Sequence, residues 1–139
     1  MFVVNALRAI NITSLAINTM TGGEGGVKVY SLAGSYSGHE HSSNGWELVY
    51  DNPSVQMSGR GEPTVLDTFE VRLSSGENRS FYVWAEQKLV YKKGSGEGLP
   101  FVSDESLVIY EGIAVKDLFG QVYSPRVWSG GVIYKTSVL

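Results

Sequence analysis

Residues 69–86 read Phe69-Glu70-Val71-Arg72-Leu73-Ser74-Ser75-Gly76-Glu77-Asn78-Arg79-Ser80-Phe81-Tyr82-Val83-Trp84-Ala85-Glu86. Phe69, Val71 and Leu73 alternate with Glu70 and Arg72. Phe81, Val83 and Ala85 alternate with Tyr82 and Trp84. An extended chain sends successive side chains to opposite faces, so a period of two marks strands. The Ser/Gly/Asn cluster between the two runs supplies a turn. The second run differs in one respect: its other face, Tyr82 and Trp84, is also aromatic. Either both faces of its sheet are covered, or one presents an aromatic platform. Such platforms stack on sugar rings or dock another protein.

The same period recurs outward from this stretch. Phe2–Leu7 reads as a strand, and so does Ile10–Thr19. The apolar phase slips between Ile10/Ile12 and Leu15/Ile17, which predicts a bulge. Thr21–Gly26 reads as a turn. Val27–Leu32 puts Val27 and Val29 on one face, Lys28 and Tyr30 on the other. Ala33–Gly45 is a polar Gly/Ser loop. Trp46–Tyr50 reads as a strand closed by Asp51-Asn52-Pro53, with Val55–Met57 a short one beyond. Thr64–Leu73, Arg79–Glu86, Leu89–Lys93, Leu107–Glu111 and Arg126–Lys135 supply the rest. Helix is expected only as a turn or two near Val115–Phe119. The expected fold is all-β: an antiparallel, jelly-roll-like β-sandwich of about ten short strands, one domain over residues 1–139. Its core should hold Phe69, Val71, Leu73, Phe81, Val83, Leu107 and Ile109.

Composition narrows the function classes. The chain has 139 residues, 42% of them hydrophobic, enough apolar surface to fold. The net charge is −3, and Lys and Arg are scattered apart from Lys92–Lys93, so no basic face for nucleic acid is expected. No Cys is present, so there is no disulfide framework. No apolar run approaches the ~20 residues of a membrane span, so no membrane insertion is expected. Met1–Met20 is interrupted by Asn5, Arg8, Asn11, Thr13, Ser14 and Asn18, and reads as strands rather than a signal peptide. Asn11-Ile12-Thr13 and Asn78-Arg79-Ser80 match the glycosylation acceptor pattern, a triplet common by chance. Thr21–Gly26 and Gly94–Gly98 lack a following Lys-Ser/Thr and a helix, so they are not phosphate loops. No cofactor is expected.

His39-Glu40-His41 holds both histidines. In a strand the two rings would share one face and could share a metal ion, but a third ligand would have to be a distant acid such as Asp51 or Asp104. No metal site is expected. No Gly-x-Ser-x-Gly elbow appears; the carboxylates Glu40, Asp51, Glu62, Asp104 and Glu111 are candidates for a glycosidase pair, but glycosidases usually need a larger scaffold for a substrate cleft. The loop Ala33–Gly45 is more promising for binding. It is long for a compact β domain. Tyr36, His39, Glu40, His41 and Asn44 offer a stacking ring, donors and acceptors within a few residues. Ser58–Glu62 and Leu99–Ser103 are the expected neighbours of that site, and Tyr82 and Trp84 are the alternative face.

Four segments together resemble a known type of module. They are Val29-Tyr30…Gly34-Ser35-Tyr36…Gly38-His39-Glu40…Trp46-Glu47-Leu48-Val49; Ser80-Phe81-Tyr82-Val83; Ser103-Asp104…Leu107…Ile109-Tyr110-Glu111-Gly112; and Phe119-Gly120…Ser124-Pro125-Arg126-Val127-Trp128…Gly131-Val132-Ile133-Tyr134. Their order and spacing resemble a β-sandwich module that recurs in large secreted or cell-surface proteins of marine bacteria and in proteins of algae such as diatoms. The resemblance implies an all-β fold, an accessory role beside other domains, and an extracellular or cell-surface location. It carries no activity and no catalytic residues. Position 39, often aromatic in bacterial members, is His here. At the recurring positions, Glu111 and Arg126 are expected to form an ion pair, or Arg126 to satisfy loop carbonyls. Asp104 is expected to bond amides of its own turn.

The leading expectation is therefore a non-catalytic binding or adhesion module with a carbohydrate or protein ligand. The competing ones are a self-assembling structural domain, forming a homo-oligomer by edge-strand pairing or face packing, and a small hydrolase using His39 and Glu40.

Overall fold

The structure is a computed structural model that describes residues 1–136. Strand makes up 57% of the described residues and no helix occurs among them, so the fold is all-β. The strands are β1 (Phe2–Ala6), β2 (Ile10–Ile17), β3 (Gly23–Ala33), β4 (Glu47–Met57), β5 (Thr64–Val65), β6 (Val71–Leu73), β7 (Asn78–Ala85), β8 (Tyr91–Lys93), β9 (Pro100–Ser103), β10 (Leu107–Tyr110), β11 (Gly112–Val115), β12 (Val122–Trp128) and β13 (Gly131–Thr136). All pairings are antiparallel. A central sheet of six strands runs β4-β3-β7-β1-β10-β9. A second sheet is built on β2, with β13 on one side and β5 and β6 on the other. A third runs β11-β12-β8.

The two runs of residues 69–86 enter different sheets. β6 pairs with β2, and β7 lies in the middle of the central sheet. Ser74–Glu77 carries the chain across, with Gly76 at φ 87°, a conformation that only glycine adopts without strain. The facing sides of these two sheets enclose the main core. Phe2, Val4, Val27, Val29, Phe81 and Val83 meet Ile12, Leu15, Ile17, Val71 and Leu73 there. Every expected core residue from Phe69 to Ile109 is buried. Trp128 closes one end of this core, stacked on Phe2 at 4.9 Å between ring centres.

The bulge in β2 is present. Ile133 sits opposite Ser14 and Tyr134 opposite Ile12, which leaves Thr13 as the extra residue. The strand expected over Thr64–Leu73 is two short ladders. Between them Leu66 and Phe69 still donate to Leu15 and Thr13 carbonyls, so the segment follows β2 past its bulge without regular pairing. The expected break at Asp51-Asn52-Pro53 is absent, because β4 continues through it. β4 is an edge strand, where a proline leaves no ladder donor missing on the open side. The register also shifts there, between Val27 opposite Asn52 and Gly25 opposite Val55. The Asn52 side chain still accepts from the Ser54 amide at 3.0 Å, so the local turn bond serves a bulge instead. Residues 115–119 form a strand end and a turn, not the expected helix.

Two joints were foreseen only in outline. Asp104 Oδ1 accepts from the amides of Ser106 (2.7 Å) and Leu107 (3.0 Å), as expected of its turn. Glu111 and Arg126 form no ion pair among the described residues. Arg126 donates to the Pro125 carbonyl at 2.8 Å. Glu111 is buried, and its Oε1 takes the Ser95 and Gly96 amides at 2.6 and 3.3 Å. It thus holds loop 94–99 against the hinge where β10 passes into β11. Beyond the hinge, Ile113 exchanges backbone hydrogen bonds with Met1 at 2.7 and 3.0 Å. A side chain on Gly112 would drive its Cβ into the Met1 carbonyl oxygen.

Candidate functional site

The other face of the central sheet is covered as well. Val3, Tyr30, Tyr82 and Trp84 project from it into a second, smaller cluster with Met1, Tyr36, Trp46, Ile113, Val115 and Phe119. Its cover is loop 34–46, strand β11 of the third sheet and the turn from β11 to residue 122. Tyr82 sits at the centre, fully buried, stacked on Tyr30 at 5.9 Å and edge-on to Phe119 at 5.0 Å. Burial pushes its phenol up to about 12. Its hydroxyl donates to the carbonyls of Asp117 (2.5 Å) and Val115 (3.4 Å), and accepts from the Phe119 amide at 3.3 Å. One hydroxyl therefore holds a turn in which Asp117 and Phe119 both take left-handed backbone, at φ 55° and 59°.

That turn forms one wall of a cleft of about 410 Å³. Trp84, Tyr91 and Tyr123 bring rings to it, and Glu86, Lys88, Lys116 and Asp117 bring charge. Lys88 too has left-handed backbone, at φ 60°; its amide donates to Ala85 and its carbonyl accepts from Met20. Burial raises the Tyr91 phenol above its ordinary range. Tyr123 is 37% exposed, and the Arg126 guanidinium lies 6.0 Å from its ring centre. The arrangement can stack on a flat apolar surface and hydrogen-bond polar groups at its edge. Trp84 thus lines the cleft, while Tyr82 is no exposed platform. It buttresses the wall from behind.

Loop 34–46 is arranged differently from the expectation. Tyr36 is only 4% exposed, so it is not a surface stacking ring. Its hydroxyl donates to Glu97 Oε2 at 2.9 Å, and burial, then that carboxylate, raises its phenol well above the ordinary range. Trp46 pins the other end through its indole N–H, which donates to the His39 carbonyl at 2.9 Å. His39, His41 and Asn44 are exposed and Glu40 is partly buried. Ser58–Glu62 does not adjoin this loop. It follows β4 at the end where Met57 pairs with Gly23, whereas the loop joins β3 to β4 where Ser31 pairs with Glu47. Leu99 is closer, since it follows the Glu97 that Tyr36 holds. Asp51 is paired with Lys28 at 3.2 Å and Asp104 is committed to its turn. Among the described residues, no three His, Asp or Glu side chains converge as metal ligands.

Sequence reasoning named Trp84 but missed Tyr91, Tyr123, Lys88 and Asp117. The topology gathers them from β8, β12 and two turns, and no spacing in the chain relates them. No protein-family model, no curated protein and no solved structure matches the chain.

Proposed function

We propose that this chain is a non-catalytic binding module of a secreted or surface protein, with a carbohydrate ligand held in the Trp84 cleft. The carrying observation is the composition of that cleft: ring faces from Trp84, Tyr91 and Tyr123 beside Glu86, Lys88, Lys116 and Asp117, in a space within the ~300–1,000 Å³ usual for small-ligand sites. Backbone held in the left-handed region at Lys88 and Asp117 adds support, because such conformations cluster at ligand-binding positions. Loop 34–46 supports binding less well. It keeps its polar side chains outside and its ring inside, so one surface does not offer both.

A glycan array with the parent chain and Trp84→Ala tests the reading. The expected result is a defined set of glycans bound by the parent and lost in the variant. A hit that Trp84→Ala retains would move the site, and an array without hits would remove the carbohydrate.

One observation favours a structural reading. β9 is an edge strand whose four residues are all exposed, and Leu99, Phe101 and Val102 are each about half exposed. Open backbone flanked by apolar side chains is a template for pairing with a second copy. A concentration-dependent elution volume, abolished by Val102→Lys, would support that reading over the monomeric module.

A further inference from the structure

Asn44 lies near the end of loop 34–46, and no other asparagine of the chain is followed by glycine. Its surroundings also set it apart. The other five asparagines precede Ala6, Ile12, Thr19, Pro53 and Arg79, and each has its side-chain amide in a hydrogen bond. Asn44 is exposed, and among the described residues neither its side-chain amide nor the Gly45 backbone amide takes part in a hydrogen bond. Gly45 is the third residue of a turn closed by the Trp46 amide, which donates to the Ser43 carbonyl at 3.0 Å. Its φ of 85° is that of the third residue of a type II turn. Glycine accepts φ of either sign and has no Cβ to shield its own nitrogen. The Asn44–Gly45 peptide can therefore turn to bring that nitrogen onto the Asn44 side-chain carbonyl carbon.

A free amide nitrogen beside an unheld carboxamide has a reaction open to it that needs no partner but water. We propose that Asn44 is a self-modifying position, which converts to aspartate and isoaspartate through a cyclic imide. The Gly45 nitrogen bonds to Asn44 Cγ and gives up its proton. The Cγ–Nδ2 bond breaks, and the departing nitrogen takes up a proton and leaves as ammonia. Water then adds to one of the imide carbonyls. Breaking the Cγ–N bond leaves aspartate in an ordinary chain. Breaking the bond from nitrogen to the main-chain carbonyl carbon leaves isoaspartate, with the backbone routed through Cγ. Both products add a negative charge, but only isoaspartate lengthens the main chain, and it does so inside the Ser43–Trp46 turn. That turn delivers Trp46, whose indole N–H holds the His39 carbonyl and whose ring lies 6.2 Å from those of Tyr82 and Phe119. Isoaspartate at position 44 loosens the seat of the loop on the Tyr82 cluster. The position shares no residue with the Trp84 cleft and does not depend on it.

The test is to age the folded full-length chain in warm, mildly alkaline buffer and to follow it by anion exchange and by peptide mapping with mass spectrometry. A more acidic species should accumulate, with aspartate and isoaspartate at position 44 and intact amides at the other five asparagines. Asn44→Gln should slow its appearance about tenfold or more, because glutamine must close a larger ring. No acidic species in the parent, an unchanged rate in Asn44→Gln, or equal conversion at the other asparagines would each overturn the proposal. Hydrogen exchange on the purified isoaspartate form reads the structural consequence. The Trp46 amide should exchange faster there than in the fresh chain, while Asn44→Asp, which carries the charge without the longer backbone, should protect it as the parent does. Equal protection in the isoaspartate form, or equal loss in Asn44→Asp, would overturn the loosening of the loop.

Discussion

The central sheet has two faces, and they are packed by different chemistry. Toward the second sheet its side chains are aliphatic or phenyl: Phe2, Val4, Val27, Val29, Phe81 and Val83. On the other face they are phenolic or indole except for Val3: Tyr30, Tyr82 and Trp84. The reason lies in what each face meets. A neighbouring sheet has satisfied its own backbone groups, so filling its surface needs only shape and apolar area. A turn leaves carbonyls and amides unpaired, and these require a partner once buried. Tyr82 provides one for three residues of the 115–119 turn. Trp46 does the same work for the His39 carbonyl in loop 34–46, while Tyr36 in that loop gives its hydroxyl to the Glu97 carboxylate. An aromatic residue carrying a polar tip is thus the side chain that can join a regular sheet to irregular cover.

Phe81→Ala should have the largest effect on this contrast. The residue is fully buried between sheets, and its loss should cost ~3–5 kcal/mol in urea unfolding. A cost under ~1 kcal/mol would mean that the faces are assigned the wrong way round. Alkaline pH comes next and strikes chiefly the loop-covered face; on the other side the exposed Tyr134 phenol, which donates to Asp104, is also raised. The phenols of Tyr36, Tyr82 and Tyr91 are raised in the folded protein, Tyr82 to about 12. Above the ordinary phenol value near ~10 the unfolded chain therefore holds fewer protons than the folded one. Their contribution to stability is complete below that pH and is lost as pH rises through the folded values. The buried residues of the main core carry no titratable group. Tyrosine absorbance and stability followed together should show late ionisation coincident with unfolding. Normal ionisation near ~10 in a chain that stays folded would break the contrast.

Moving a single hydroxyl sharpens the comparison further. Tyr82→Phe should cost ~1–3 kcal/mol and speed amide exchange at Phe119, since it leaves turn groups unpaired. Phe81→Tyr should also cost ~1–3 kcal/mol, for the opposite reason: it buries a hydroxyl where nothing awaits it. Equal stability of both variants to the parent would dissolve the distinction. The smallest effect should come from Asp104, which accepts the Tyr134 hydroxyl across the two main sheets. That bond, ahead of the Ser106 and Leu107 amides, holds its carboxyl below the ordinary value. Its contribution is present above the ordinary carboxyl range and is lost as pH falls through the folded value. Asp104→Asn should flatten the acid limb of the stability profile slightly. Because the group is exposed, solvent keeps the effect small.

The sheet-facing side was readable in the chain because burial against a regular partner leaves a strict period. Phe81/Val83 and Phe69/Val71/Leu73 show it, and the phase slip that marks the bulge at Thr13 follows from the same rule. The loop-facing side was readable only as a question. Tyr82 and Trp84 announce an apolar second face, but its cover is a polar loop, a turn and the four-residue β11, whose Ile113/Val115 alternation is too short to mark it. Nothing local distinguishes Tyr36, buried in a polar loop, from an exposed tyrosine. β9 was missed because all four of its residues are exposed, and β11 because it opens on a glycine after the Glu111 hinge. Pro53 was read as a stop because the neighbouring strand that makes it harmless is set by tertiary pairing. For the Trp84 cleft, one lining residue was legible and the rest depended on which turns the sheets bring together.

β13 pairs with β2 along its length, and Thr13 and Ile133, which share a hydrogen bond across that ladder, stand 120 positions apart in the chain. Closing so long a loop costs entropy before any contact repays it. The second sheet therefore cannot be completed early. β2 must wait with one edge open while the β3–β4 hairpin, joined locally, is already able to form. Refolding should be slow for a chain of this size, in the millisecond-to-second range typical of all-β domains with distant pairings.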